Sequence, residues 1–473
     1  MRNTVAAPRG AVARAPAGAA LASARAALGD HALQLALIMG GALVFRLAWI
    51  AYSGWQPTPD DDAFRYDFTA RALVEGQGYV HLNNLPTAFW PPGYPLLLAV
   101  AYKIFGAGAT TAQLLNVLLG TATVGLVHLI GRRTVGERAA LVAAGIVAAF
   151  PSLIFFTAVT LSETTFTFLV LLAVYLLLRE SDPERTDAGG RNLRLLFIAG
   201  LVIGYASLVR GQALLLPLVL VPFWVRSGFA RPAITDKLVA LALGIGLVVA
   251  PWTIRNAAEM GAPVLISTNA GVDFWIGHHE GATGRGQMAD ELFAGHPELD
   301  TTEREVAVNA DGFRDGLSYA ISHPWGELTL PAKKLFWLYS HDAEALLWNE
   351  GHGGQPFLSG AEEFLLLGFS NGYYYIVMGV FVLGAARWFS WREPGRVLLI
   401  SLITYWTLAH LVFFGDPRFH APIMPIIALL AAVPIAAFRW GDVDEGEVGA
   451  IGASLKLSEA SDMIPVSARA DKA

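Results

Sequence analysis

Apolar runs close to the roughly 20 residues that carry a helix across a bilayer recur along the chain, near 33–52, 111–131, 139–158, 161–178, 195–209, 211–225, 238–254, 364–386, 397–414 and 419–438. These ten segments predict an all-α polytopic membrane protein, the fifth and sixth being short for a crossing. The segment 91–106 is also apolar, but it is short and opens on Pro91-Pro92, which suits a dipping or interfacial helix. Two long stretches, 53–110 and 255–363, separate the spans, and the second is large enough to fold above the membrane. Within it, Thr302 followed by Glu305 reads as a capping box, and Phe313, Leu317, Ala320 and Ile321 form one apolar helical face that His323-Pro324 ends. Lys333, Lys334, Phe336, Trp337 and Tyr339 then mix bases with aromatics, as interfacial segments do.

Composition agrees with the pattern. Of 473 residues 54% are hydrophobic and 15% charged, with a mean hydropathy of +0.48. The net charge of −6, without a basic stripe, argues against nucleic-acid binding. Cysteine is absent, which excludes disulfides, thiolate catalysis and Cys-ligated metals. Residues 1–30 are Ala-rich with Arg2, Arg9, Arg14 and Arg25, and 441–473 is polar and mixed in charge, so both ends are expected to be disordered cytosolic tails flanking a membrane domain at 31–440. With ten spans, the short loops carrying Arg132, Arg133, Arg138, Arg226, Arg231, Arg392 and Arg396 all fall on one side, which the positive-inside rule makes cytosolic. The expected location is the cell (inner) membrane, with 53–110 and 255–363 on the outer face.

Against that pattern, outward charges stand out. Arg65, Arg210, Arg255 and Arg418 lie at outer span ends, with Arg46 a turn or two below, and Asp60, Asp61, Asp62, Glu163 and Asp416 accompany them. Ionisable groups at membrane depth are costly and point to function. Guanidinium groups at a lipid boundary suit a phosphate, since their donors match phosphate oxygens and they stay charged when partly desolvated. Asp62 and Tyr66 are spaced i, i+4, so a helix running to Gly76 would present both on one face with Arg65 alongside. One of three adjacent carboxylates suffices for an N-cap; the others are free for chemistry. His278-His279-Glu280 suggests a metal, yet adjacent histidines point apart, and a loop role is expected. His410 and His420 flank the loop holding Asp416.

In this order, Asp-x-x-x-Tyr at Asp62 and Tyr66, PPGYP at 91–95, Glu163, PWTIRN at 251–256, STNAGVDFWIGHH at 267–279 and DPRFHAPIMP at 416–425 resemble the GT-C superfamily of polytopic glycosyltransferases, in the branch of protein O-mannosyltransferases and lipid A aminoarabinose transferases. The resemblance implies a GT-C fold, a sugar donor carried on polyprenyl phosphate, and a reaction-centre Asp in the first outer loop. By position that Asp is Asp62, with Asp60 and Asp61 as neighbouring candidates, and Arg65 takes the place of a phosphate-binding Arg. Tyr66, Glu163, Arg210, Arg255 and Arg418 complete the candidate substrate site. The aminoarabinose branch has an acidic residue and a Lys before its first Pro, where this chain has Phe89-Trp90; a divalent metal is left open. The chemistry fits independently: polyprenyl phosphate is a good leaving group, so transfer to a lipid, glycan or protein hydroxyl needs one base and a phosphate clamp. Two competing classes share some features. A lipid-linked polysaccharide ligase or polymerase uses the same donor chemistry, and a secondary transporter would show repeated halves and midplane polar groups, which this sequence lacks.

Overall fold

The computed structural model describes residues 17–57, 61–180, 192–295, 300–351, 356–388 and 393–440; Asp60 and most of both expected tails lie outside them. The chain is almost entirely helical. In order come α1 (Ala17–Ser53), α2 (Asp62–Val74), α3 (Gly93–Phe105), α4 (Ala109–Thr134), α5 (Glu137–Ala148), α6 (Pro151–Phe155), α7 (Glu163–Glu180), α8 (Leu193–Val209) and α9 (Leu216–Arg226). Then follow α10 (Arg231–Glu259), α11 (Asn269–Gly277), α12 (Asp290–Ala294), α13 (Thr301–Ser322), α14 (Pro324–Glu327), α15 (Leu330–Tyr339), α16 (Glu344–Gly351), α17 (Gly360–Trp388), α18 (Pro394–Val412) and α19 (Met424–Trp440).

All ten apolar runs are helical. Six helical stretches, Gly29–Ser53, Ala109–Thr134, Arg231–Glu259, Gly360–Ala386, Pro394–Val412 and Pro417–Arg439, are long and apolar enough to cross a membrane, and α3 and α8 are shorter apolar helices. The run 139–158 is broken between α5 and α6, where Pro151 cannot continue the hydrogen-bond ladder. Arg46 closes that break: its guanidinium donates to the carbonyls of Ala148 (3.2 Å) and Val147 (3.5 Å) in the last turn of α5. Arg46 is therefore a cap, 1% exposed, and its positive charge sits favourably at a helix C-terminus. Helix α1 starts at Ala17, inside the stretch expected to be a tail, as its Ala-rich composition favours.

The helix entered through the Pro417–Ile423 turn and continued by α19 runs through the centre of the bundle, with 78% of its span window buried, packed on α4, α5 and α17. Helices α8 and α10 approach closely through Gly200, Gly204 and Gly244. A Cβ on Gly200 would lie 2.4 Å from the carbonyl oxygen of Leu241, so only small residues allow this contact. Between α7 and α10, Lys237 pairs with Glu180, both fully buried and the ammonium facing the rings of Trp224 and Phe229.

The capping box at Thr302 is corrected. Asp300 caps α13, accepting from the Glu303 N–H at 2.8 Å. Thr302 donates instead to the Pro86 carbonyl, and Glu305 turns away to the loop 81–88, where it finds three partners that a cap could not offer. Helix α13 meets α11 through Gly312 and Gly316, with Phe313 against the Phe274 ring at 5.6 Å, while Leu317 and Ile321 further along the apolar face stay exposed.

Candidate active site

Helix α2 begins where it does because Asp61 Oδ1 accepts the Phe64 N–H at 2.8 Å, an N-cap that fixes Asp62 in the first turn. Asp61 thus takes the capping role that one of the three adjacent carboxylates was expected to fill. Asp62 Oδ1 accepts from the Trp90 indole N–H at 3.2 Å, and Oδ2 lies 3.5 Å from the Arg418 guanidinium. Trp90 is held by a loop fixed from two sides. Glu305 accepts from Thr87 Oγ1 (2.8 Å), the Ala88 N–H (2.7 Å) and the His81 ring (3.1 Å), and Arg255 donates to the carbonyls of Thr87 and Tyr79 at 2.7 Å each.

Arg418 sits on the Pro417–Ile423 turn, capped by Asp416, whose Oδ1 accepts the Arg418 N–H at 3.0 Å. Arg285 braces Asp416 at 3.5 Å and Glu344 at 2.7 Å, a link the sequence offered no spacing signal for. The Arg418 guanidinium lies over Trp348 (5.0 Å) and reaches Glu163 Oε1 at 3.3 Å. The same oxygen lies 2.6 Å from Arg210, which also donates to Ser162 Oγ at 2.9 Å. Glu163 is 1% exposed, so one buried carboxylate holds two guanidinium groups that would otherwise repel each other. The chain Asp62–Arg418–Glu163–Arg210 joins α2, α7, the end of α8 and the final turn.

Tyr66 is buried beside this chain, edge-on to Tyr94 at 5.3 Å, and its phenol is pushed above the ordinary range by burial and by the negative Asp62. Arg65, one residue away, is half-buried and makes no ion pair with any described residue. Arg255 stands outside the cluster, spent on the loop below Trp90 and lying over Trp252 at 5.0 Å. His278 and His279 diverge, the first to Glu327 (2.9 Å) and the Val412 carbonyl (2.7 Å), the second stacked on Trp275 at 4.2 Å. His410 contacts the Trp406 carbonyl at 2.8 Å, and His420 lies between the Leu338 carbonyl and Asp342. Among the described residues no three His, Asp or Glu side chains converge as metal ligands.

One candidate site residue was missed. Helix α11 bridges the cleft: the Thr268 N–H at its start donates to the Ala88 carbonyl (2.9 Å), and His278 at its end meets Val412 (2.7 Å). Midway, Asp273 faces Asp62, Arg418 and Arg210, and desolvation reinforced by Asp62 pushes its carboxyl up to about 7 against the pull of the arginines. Its signal was present: Asp273 is the lone acid in the apolar run 267–279.

Residues 90–254, about a third of the chain, match the family model described as dolichyl-phosphate-mannose-protein mannosyltransferase. Among solved structures it is similar to the archaeal oligosaccharyltransferase AglB from Archaeoglobus fulgidus in complex with an inhibitory peptide and a dolichol-phosphate (15% identity, TM-score 0.49, 91% of this chain and 56% of that one). It is also similar to ArnT from Cupriavidus metallidurans bound to undecaprenyl phosphate (16% identity, TM-score 0.40, 86% of this chain and 77% of that one). The chain spans about half the length of the archaeal enzyme. No curated protein matches it.

Proposed function

We propose that this protein transfers a sugar from a polyprenyl-phosphate donor to a hydroxyl-bearing lipid, glycan or protein acceptor at the outer face of the membrane, with inversion at the anomeric carbon. The observation that carries the reading is the pair Arg210 and Arg418 held on one buried carboxylate, Glu163, beside the half-exposed Asp62. Two guanidinium groups carry more donors than their present partners use, and phosphate oxygens are the acceptors they match.

In this reading Asp62 takes the proton of the acceptor hydroxyl as that oxygen bonds to the anomeric carbon. The bond from that carbon to the phosphate oxygen breaks on the opposite side, and the lipid phosphate leaves with the electron pair. Arg210 and Arg418 neutralise the charge growing on the leaving phosphate, while Trp90 keeps Asp62 turned towards the cleft. Glu163 positions the arginines and takes no proton. A phosphate leaving group needs no protonation, so a single base suffices, unlike hydrolysis by a carboxyl pair.

The test is incubation of purified protein with a panel of polyprenyl-phosphate monosaccharides and an acceptor extract, with release of the lipid phosphate as the readout. Release from at least one donor is expected only when acceptor is present. No release across the panel, from protein that still binds polyprenyl phosphate, overturns the transfer reading.

A further inference from the structure

The outer segment carries an apolar surface that no part of the described chain covers. Along α13, Leu317 is 54% and Ile321 71% exposed; past the Pro324 turn Trp325 is 80% and Leu328 69% exposed; on α15, Phe336 is 62% exposed. Leu317 and Ile321, four residues apart, are successive turns of one face of α13, Trp325 follows on α14 past the His323-Pro324 break, and Lys333 stands exposed between the second and third patches. Singly exposed apolar residues are ordinary, but a continuous row of large ones marks an interaction surface.

Its position relative to the spans shows what covers it. Tyr339 at the end of α15 shares a hydrogen bond with Thr407 of α18 (2.7 Å), and Lys334 donates to the Leu411 carbonyl (3.1 Å), so α15 lies against the last two turns of a membrane-spanning helix. The same chain end reaches into the side of α17, where Tyr374 and Tyr375 donate to the carbonyls of Tyr339 (2.8 Å) and Ser340 (2.7 Å), and Ser370 to Asp342 (2.7 Å). These residues lie 10 to 15 positions into a helix that begins at Gly360 and is itself a span. Helix α15 therefore re-enters to span depth. Its neighbours there, Leu408 (55%), Val412 (51%) and Ile376 (69%), face outward from the bundle where lipid must lie, and Phe336 continues that face.

We infer that the ridge from Leu317 through Trp325 to Phe336 is inserted in the lipid leaflet at the site's end of the bundle, with Phe336 among acyl chains and Trp325 at the headgroup boundary. Tryptophan prefers that boundary, and an exposed lysine there can reach a lipid phosphate. Backbone at that depth is satisfied because α15 is helical. The polar flank of α13, with Arg314 paired to Asp311 and Asp315, faces away towards water. Insertion of this kind holds the outer segment, and with it α11 and Asp273, at a fixed height over the cleft.

Because the chain has no cysteine, single-cysteine variants carry one label each. Nitroxide labels at Leu328→Cys and Phe336→Cys, with Leu408→Cys as the lipid reference and Thr283→Cys as the water reference, are measured in phosphatidylcholine–phosphatidylglycerol vesicles. Both ridge labels are expected to relax strongly with oxygen and weakly with a water-soluble nickel chelate, as at Leu408. Nickel access equal to Thr283 overturns the insertion, because the ridge then stands in water. Poor access to both reagents also overturns it, since a second copy or another protein then covers the surface. The unsubstituted chain gives an independent arm: lipids brominated near the headgroup should quench its fluorescence more than they quench Trp325→Phe, and equal quenching counts against the proposal.

Discussion

At the scale of single residues, the site separates side chains that sequence alone could not. Arg255 and Arg418 both lie at ends of apolar spans, and nothing in their local sequence distinguishes them; what divides them is that the loop carbonyls of Thr87 and Tyr79 claim the first. Asp61 and Asp62 are likewise equivalent on paper until the helix start assigns the cap. The Asp-x-x-x-Tyr spacing did bring Asp62 and Tyr66 to one face, because a helical period is a local property. Asp62→Asn keeps the shape and the Trp90 contact, so its expression and donor binding should match the parent while transfer falls about 10²-fold or more. Turnover within a few-fold of the parent, measured by lipid-phosphate release, removes Asp62 as base.

Asp273 gives the site a pH dependence. Its carboxyl, near 3.8 ordinarily, is pushed up to about 7, so it is neutral below that pH and charged above it. The charged groups facing it are Asp62, Arg418 and Arg210; the face that α13 turns to α11 is Asn309, Gly312 and Gly316, which do not titrate. In the proposed reaction, an ionised Asp273 would compete with the donor phosphate for the same arginines. Donor KM should therefore rise several-fold as pH passes upward through about 7, the scale of roughly 1 kcal/mol between screened charges. In Asp273→Asn that rise should vanish, and an unchanged KM profile in the variant refutes the competition. The stability sign runs the same way: the folded state holds this proton more tightly, so its contribution declines as pH climbs from 3.8 towards 7.

At the scale of elements, the spans were legible because a 20-residue apolar run has few alternatives in a bilayer. Breaks inside them were less so; Pro151 ends α5, but the cap that completes the break comes from Arg46, over a hundred residues away in sequence. The capping box at Thr302 failed for the same reason: Glu305 had better partners in a distant loop. The Lys237–Glu180 pair shows how strongly elements are tied inside the bundle. Lys237 reads as a loop charge beside Arg231, yet it is fully buried between α7 and α10. Removing one partner takes a compensating charge away from a fully buried one, so Lys237→Met should lower stability by about 3 to 5 kcal/mol, whereas Glu180→Leu with Lys237→Met should recover part of the loss. Thermal unfolding in detergent reads both; a double variant as unstable as the sum of the singles contradicts the pairing account.

At the scale of the whole molecule, the charge pattern and the site define opposite ends of the same helices. Helix α4 begins at the cleft end, where Gln113 donates to the carbonyls of Trp55 (3.1 Å) and Ala158 (3.0 Å), and finishes at Arg132 and Arg133. Its 26 residues span about 39 Å at 1.5 Å each, enough to put the two ends on opposite membrane surfaces. Arg226 and Arg231 flank the turn between α9 and α10, while Arg210 caps the end of α8 and Arg255 lies in the last turns of α10 on the cleft side. If the basic end is cytosolic, as the positive-inside rule requires, Asp62 and the arginines open to the outer face, where lipid-linked donors would be used. The cysteine-free chain makes this a two-point measurement. Thr283→Cys, exposed in the outer segment, should react with an impermeant maleimide in intact cells, and Thr235→Cys, exposed at the start of α10, should react only after lysis. The reverse pattern would invert the topology and move the proposed reaction to the cytosolic face, where the acceptor and the donor's orientation would both have to change.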